Sequence, residues 1–278
     1  MKVGVTKVVN ISMKEYDYLT QYIKANYGIN LKEEKQQMVA GRLQKVLQEH
    51  GFTNFTEYNN YIMKDKTGKA AAILINHITT NHTFFMREAE HFNYFRETVL
   101  PYLHNTVKDK DLRIWCAGCS TGEEPYTLAM LIDEYLGQEK KFWDSKILAT
   151  DLSSRVLEKA SKGEYNNDEM ANLPKPWRIN YVKPINKEKS IIVNKIKNEV
   201  IFRKFNLMEP KFPFKRKLHA IFCRNVMIYF DTATRNELIN KFYDSLEYGG
   251  YLFIGHSETI NRDETKFKYI KPAVYRKE

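Results

Sequence analysis

The stretch Asp111–Leu136, DLRIWCAGCSTGEEPYTLAMLIDEYL, constrains the fold of this chain more than any other. Leu112–Ala117 is a short apolar run, the mark of a strand buried on both faces. Gly118–Gly122 follows as a turn without a bulky side chain. From Glu123 the pattern is helical: Leu128, Leu131, Ile132, Tyr135 and Leu136 share one face, and Pro125 suits a first turn. Strand, small-residue turn and helix in this order open a parallel α/β sheet.

Such a turn is shaped for a nucleoside. Glycines let a ligand approach the backbone, and a helix N-terminus offers unpaired N–H groups. Glu123 and Glu124 stand where a dinucleotide fold holds its phosphates, and they would repel a pyrophosphate. S-adenosylmethionine has a sulfonium, an ammonium and a ribose diol but no phosphate, so it suits the turn better than NAD. The alternative is a capping box, T-x-x-E from Thr121 to Glu124, with no ligand at all.

The 278 residues, 43% of them hydrophobic, allow one large or two modest domains. No apolar run is long enough for a membrane span, and Met1–Asn10 lacks a signal-peptide core, so a cytoplasmic protein without membrane insertion is expected. Cys116, Cys119 and Cys223 make no disulfide framework. Cys116 and Cys119 form a C-x-x-C without the second pair that zinc wants, so no metal is expected and packing of small residues explains them. The net charge of +10, from 44 Lys+Arg against 34 Asp+Glu, suits nucleic acid, an acidic protein surface, or a lysine-rich protein with neither.

Taken in order, residues 1–90 read as a helical domain, with helices at Met13–Tyr27, Leu31–His50, Phe55–Met63 and Ala70–Ile78. Lys35, Arg42 and Lys45 line one flank of the second, as a solvated edge or as a surface for an acidic partner. Thr79–Glu88 either presents hydrogen-bonding groups to a ligand or caps a helix Arg87–Leu100 that Pro101 closes, with His104–Asp111 as a linker. Residues 91–278 then alternate strand and helix. Lys146–Thr150 is a strand ending in Asp151, and Ser153 or Ser154 caps the helix Val156–Lys162. A small antiparallel insertion lies at about 174–198, within Gly163–Lys197. Val200–Phe205 and Leu218–Cys223 are strands, and Asp231 or Thr232 caps a helix running to Leu246, ended by Gly249-Gly250. Tyr251–Ile254 and Tyr269–Tyr275 close a doubly wound α/β sheet as an antiparallel pair. Asp151, about thirty residues after the glycine turn and at a strand's C-terminal end, is placed to accept both hydroxyls of a ribose.

Six motifs in this order, TTNHTFFMRE, GCSTGEEPY, the ATD at Asp151, FNL at Asn206-Leu207, FCRNVMIYF and GHSE, resemble the CheR chemotaxis receptor methyltransferases. The resemblance runs from about Asn10 to the C-terminus. It implies a class I (Rossmann-like) methyltransferase domain with a small antiparallel β insertion, preceded by an all-helical domain. It further implies S-adenosyl-L-methionine as cofactor, S-adenosyl-L-homocysteine as product, and glutamate side chains on the cytoplasmic helical bundle of transmembrane chemoreceptors as substrate. Carried over by motif, Asn81, Thr83, Arg87, Glu124 (with Glu123 as the second choice), Asp151, Asn206, Leu207, Arg224 and Asn225 would contact the cofactor. Arg87 and Tyr229 would serve catalysis. Lys35, Arg42 and Lys45 would meet the glutamate-rich receptor.

Members that dock on a receptor's C-terminal pentapeptide have a glycine-bearing turn in the insertion; here no glycine lies between Gly163 and Gly249, which favours direct docking on the receptor over that tether. A monomer is expected. A nucleic-acid methyltransferase and a non-catalytic S-adenosylmethionine-binding regulator are the alternatives. Against the first, Arg224–Tyr229 lacks the paired prolines of amino-directed enzymes.

Overall fold

Ile114–Ala117 (β1) is buried throughout, and Trp115 within it donates its indole N–H to Thr150 Oγ1 at 2.9 Å, so no polar group is stranded. The computed structural model describes residues 8–278, so the first seven residues of Met1–Asn10 lie outside the described residues. The strands that follow are Ile147–Asp151 (β2), Glu164–Asn166 (β3), Val182–Pro184 (β4), Lys189–Ile192 (β5) and Val200–Lys204 (β6). Leu218–Cys223 (β7), Leu246–Ile254 (β8), Lys268–Lys271 (β9) and Val274–Arg276 (β10) complete them.

One sheet has the order β6-β2-β1-β7-β8-β10-β9. Its strands are parallel from β6 to β8, then antiparallel from β8 through β10 to β9. This is a doubly wound sheet, and its ligand-binding edge is the C-terminal end of the parallel strands. The helix Glu123–Leu136 is buried on nearly every side, which its sequence period does not require. The insertion supplies the extra cover: Trp177 donates to Glu134 at 2.8 Å, and Tyr181 and Lys195 donate to Asp133 at 2.9 and 2.7 Å. The insertion's own sheet, β3-β5-β4, begins at Glu164, ahead of the expected 174–198.

The described residues group into two units, divided in sequence between Thr80 and Asn81. The expected boundary at residue 90 falls inside the second unit, because residues 81–88 bond to that unit's own strand ends: Ser120 donates to the Asn81 carbonyl at 3.1 Å, and Arg224 donates to Glu88 at 3.1 Å. In the first unit, helices span Met13–Tyr27, Gln36–His50, Phe55–Lys64 and Lys69–Ile78. Ser12 and Glu15 form a capping box, and Glu15 also accepts the Thr56 N–H at 2.8 Å, joining the first helix to the third. No described helix is long and apolar enough to cross a membrane.

Some boundaries differ from expectation. Residues Leu31–Lys35 are not α-helical; Glu33–Lys35 is a short 3₁₀ turn before the helix. Pro101 does not stop its helix. The chain runs Ala89–Tyr94, a π turn at Phe95–Val99, then Leu100–Thr106, so part of the expected linker is helix. In the wider turn the Leu100 N–H donates to the Phe95 carbonyl five residues back, just ahead of the proline that has no N–H to give. Gly249-Gly250 do not end a helix either; the last helix stops at Ser245 and both glycines lie within β8. A Cβ at Gly249 would stand 2.1 Å from Tyr102 Oη, so packing selects glycine there.

Candidate functional site

The turn after β1 is held by its own backbone. Gly118 and Cys119 donate their N–H groups to the Thr150 carbonyl at 2.8 Å each, and Gly122 donates to the Cys119 carbonyl at 3.0 Å. Gly118 and Gly122 both have φ of 98°, and a Cβ on Gly118 would meet Val226 Cγ2 at 2.4 Å. Gly118 thus fits against the loop after β7, and a Cβ on Gly122 would meet Ala160 Cβ and Tyr165 Oη at 3.0 Å each, so both glycines serve the turn's shape and its packing. The T-x-x-E capping box is absent as well. Gly122 is the N-cap without a side-chain bond, and Thr121 donates instead to Glu123 at 2.7 and 2.8 Å. Glu123 is only 2% exposed and faces inward, and burial raises its pKa. The three cysteines are free and buried, and burial pushes each thiol well up, so they pack as small residues.

Asp151 closes β2 on the other side of this turn. Its oxygens accept the N–H groups of Ser120 and Ser153 at 2.9 Å each. Burial raises its pKa, against the pull of those backbone donors. Ser120, at φ of 48°, donates its hydroxyl to the Asn81 carbonyl at 3.1 Å, which ties Asn81 to Asp151 through one residue. Phe205 donates its N–H to the Asp151 carbonyl at 3.0 Å, so Asn206 and Leu207 leave β6 beside it, both half-buried. Asn206 turns its side-chain oxygen to the Met208 N–H at 3.1 Å, which fixes the bend.

The second centre is Arg224, just past β7 and 7% exposed. It donates to Glu124 at 2.9 Å, to Glu88 at 3.1 Å, and to the carbonyl of Arg87. The guanidinium also lies 5.1 Å from the Phe92 ring centroid. Burial raises the Glu124 pKa, and Arg224 opposes it. At Glu88, burial pushes up but the pull of Arg224, the His256 N–H and Asn225 prevails, and the carboxyl sits below its usual range. Asn225, at φ of 58°, reaches Glu88 with its amide at 3.3 Å. Thus Glu124, Arg224, Glu88 and Asn225 form one network.

Arg87 is different. Its side chain is half-buried and donates to the His82 carbonyl of its own loop at 2.6 Å, 6.0 Å from the Phe84 ring centroid. Thr83 lies half-buried on the same loop. Tyr229 is half-buried in the short turn Met227–Tyr229, four residues past Asn225. In the first unit, Arg42 is engaged, donating to the Ile78 carbonyl at 2.7 Å and to Thr80 Oγ1 at 3.2 Å. Lys45 pairs with Glu49 at 3.6 Å, and Lys35 is exposed.

This geometry has its counterpart in known proteins. Residues 81–276 match the CheR methyltransferase, SAM binding domain, and residues 14–79 match the CheR methyltransferase, all-alpha domain. The chain belongs to the CheR methyltransferase family. A chemotaxis protein methyltransferase of Borreliella burgdorferi is 46% identical over 273 residues, covering 97% of this chain and 96% of its own. The Escherichia coli chemotaxis protein methyltransferase is 34% identical over 273 residues, covering 97% and 93%.

The CheR fold thus brings an S-adenosylmethionine-binding domain. The donor set fits that cofactor: the first turn of the helix after β1 holds Glu123 and Glu124 and no cation, so nothing there suits a phosphate. Three CheR residues escaped the sequence reading of roles. Glu88 stands in the TTNHTFFMRE motif, and Glu258 in GHSE. Glu258 is 6% exposed and accepts the N–H groups of Gly255, Asn225 and Ile228 at 2.6, 2.9 and 3.1 Å, binding the β7 and β8 loops together. Gly255 is needed there, since a Cβ would meet the Asn225 amide at 2.5 Å. His91 is the third: Glu88, His91 and His256 bring potential ligand atoms within 4.8 Å of one another. The Glu88 carboxylate, however, already serves the Arg224 guanidinium, a positive charge beside the place a metal ion would take. A charged residue inside a polar motif was the one available signal for these roles.

Proposed function

We propose that this methyltransferase esterifies glutamate side chains on the cytoplasmic helical bundle of transmembrane chemoreceptors, acting in the cytoplasm. The observation that carries this reading is the set of acids, Asp151, Glu123 and Glu124, gathered at the ends of β1 and β2, with an Arg87 guanidinium that pairs with no carboxylate among the described residues. Bound there, S-adenosylmethionine supplies an electrophilic methyl on a sulfonium.

The residues divide the remaining work. Asp151 accepts from the ribose hydroxyls, and Asn206 and Leu207 flank the adenine. Glu124 and Arg224, already paired, present a carboxylate and a guanidinium to the methionyl end. Arg224 Nε is buried without a partner among the described residues, which leaves one donor for an anionic group. Asn81, Thr83 and Asn225 supply polar contacts from the two loops. Arg87 orients the substrate carboxylate through its non-attacking oxygen, since a clamp on the attacking oxygen would weaken the nucleophile. Tyr229 donates to the same carboxylate. No residue has to take a proton, because a glutamate titrates at about 4.3 and arrives ionised. Charge is lost as a carboxylate meets a sulfonium, so a site that excludes water favours the reaction. Positioning is worth about 7–11 kcal/mol in well-oriented cases. Lys35 and Lys45, with Arg42 beside them, would help steer the glutamate-rich partner.

The test is incubation of the full-length protein with methyl-labelled S-adenosylmethionine and receptor-enriched membranes, with RNA and DNA in parallel. Base-labile label in the receptor is expected, because a carboxyl ester hydrolyses in mild alkali. Label in nucleic acid, or none in the receptor, overturns the reading.

A further inference from the structure

The loop after β7, Arg224–Tyr229, carries three of the residues given roles above: Arg224, Asn225 and Tyr229. Two neighbours shape it. On one side Val226 packs against Gly118, which has no room for a Cβ. On the other stands Glu258, four residues past the end of β8.

Glu258 sends both carboxylate oxygens into the backbone of that loop. Oε2 accepts the N–H groups of Asn225 and Gly255, and Oε1 accepts that of Ile228. The Met227 N–H bonds to the same carboxylate. Four backbone N–H groups thus converge on one side chain, and three of them belong to Arg224–Tyr229. Such a cluster is a nest for an anion, and here the chain fills it with its own. Burial pushes the Glu258 pKa up against those donors, and among the described residues no cation pairs with the carboxylate. Burying a charge without a counter-ion is costly, and so is the left-handed backbone of Asn225 at φ of 58°. Both costs fall on this one loop.

What the arrangement fixes is the direction of the loop's side chains. The Asn225 N–H is drawn to Glu258 while its amide reaches Glu88 at 3.3 Å, so the residue is held at both ends. Tyr229 is the last residue of the turn Met227–Tyr229, and its own N–H donates to the Val226 carbonyl at 3.2 Å. A single 3₁₀ turn is short and stiff, so fixing the N–H groups of Met227 and Ile228 fixes where Tyr229 leaves it. A plain tie between two loops needs one hydrogen bond, and the Asn225 N–H already supplies it. The bonds to Met227 and Ile228 orient the turn instead.

We propose that Glu258 is a positioning residue: its carboxylate sets the Met227–Tyr229 turn so that the Tyr229 hydroxyl meets the substrate carboxylate, while Glu258 itself touches neither cofactor nor substrate. This rests on the function proposed above.

The experiment compares ester formation on receptor-enriched membranes by the full-length protein, Glu258→Gln, Tyr229→Phe and the double variant. Glutamine keeps the size but has one oxygen, so whichever way it faces, its NH₂ group opposes backbone donors. Urea melts and calorimetric affinity for S-adenosylmethionine report on folding and on the cofactor site. Glu258→Gln should hold that affinity within about threefold, while kcat at saturating S-adenosylmethionine falls at least about tenfold. Tyr229→Phe should lose a similar factor, and the double variant should be no slower than the slower single variant, as for residues that act as a unit. Losses that multiply are the mark of a merely structural Glu258 and overturn the proposal. Parental kcat in either single variant also overturns it, as does a larger fall in cofactor affinity. If Glu258→Gln does not fold, Glu258→Asp takes its place: it keeps both acceptor oxygens one methylene short of the turn, and the same non-additive loss is required. Absence of base-labile label with the unaltered protein marks the separate failure of the glutamate-methylation reading.

Discussion

The loop that carries Arg87 and the loop that carries Arg224 reach the same end of the sheet, yet their guanidiniums are used in opposite ways. Arg224 is buried, with Glu124, Glu88 and the Arg87 carbonyl as acceptors. Arg87 is half-buried, and among the described residues its guanidinium bonds only back to His82 in its own loop. Sequence motifs alone assign both to cofactor contact, and Arg87 to catalysis as well. In the structure Arg224 braces the loop from which Arg87 projects, while the Arg87 guanidinium meets no carboxylate among the described residues. Left-handed backbone at Met86, Glu88 and Asn225 fits this division, since such conformations persist where neighbours over-determine them.

The sharpest way to break that contrast is Arg224→Ala. It leaves the Glu88 and Glu124 carboxylates buried without their cation, a loss of about 3–5 kcal/mol in folding stability. Denaturant melts should show the fall, and turnover should vanish with it. A variant of normal stability that merely binds S-adenosylmethionine poorly would leave Arg224 its ligand contact and remove its bracing role. Arg87→Ala is the mirror case. Its melt should stay within about 0.5 kcal/mol of the parent, because only a local bond is lost. Methyl-ester formation should fall at least about 100-fold, equivalent to about 2.7 kcal/mol of barrier. Arg87→Lys should recover little of it, since an ammonium cannot make a two-point contact with a carboxylate. Normal ester formation by Arg87→Ala removes Arg87 from the mechanism.

What the sequence discloses follows from what is local. The strand, turn and helix of Asp111–Leu136 are legible because period and turn chemistry act over a few residues. Asp151 is legible as a strand-end acid for the same reason. Pro101 and Gly249-Gly250 mislead because each is a local stop signal overridden by packing: a π turn absorbs the proline, and Tyr102 packs against the glycine. The roles of Glu88 and Glu258 are not legible. Glu88 meets Arg224 across 136 residues of chain, and Glu258 meets the Asn225 N–H across 33. Hydrophobic period tells which face of an element is buried; it does not tell which loops meet at the end of a sheet. Nor does it separate engaged cations such as Arg42 from free ones such as Lys183.

The smallest expected effect is a pH response that reports on the buried side of the contrast. His91 is 1% exposed, packs against His256 with ring centroids 4.6 Å apart, and has no hydrogen-bond partner on either ring nitrogen among the described residues. Burial, with the Arg224 charge acting in the same direction, pushes its pKa down from an ordinary value to about 3. The sign follows directly. Below about pH 6.5 the unfolded chain takes up a proton at this position and the folded one does not until about pH 3, so stability falls as pH falls through that window. Between pH 6.5 and pH 5 this amounts to about 2 kcal/mol. His91→Leu removes the titrating group, so its urea stability should decline less than the parent's over that interval by this amount. Arg87→Ala should leave the slope unchanged, since its guanidinium is turned to His82. An equal acid slope in His91→Leu and the parent would mean that His91 takes up its proton in the folded state, with Glu88 as the partner 3.5 Å away. The brace would then share its acid between an arginine and an imidazolium.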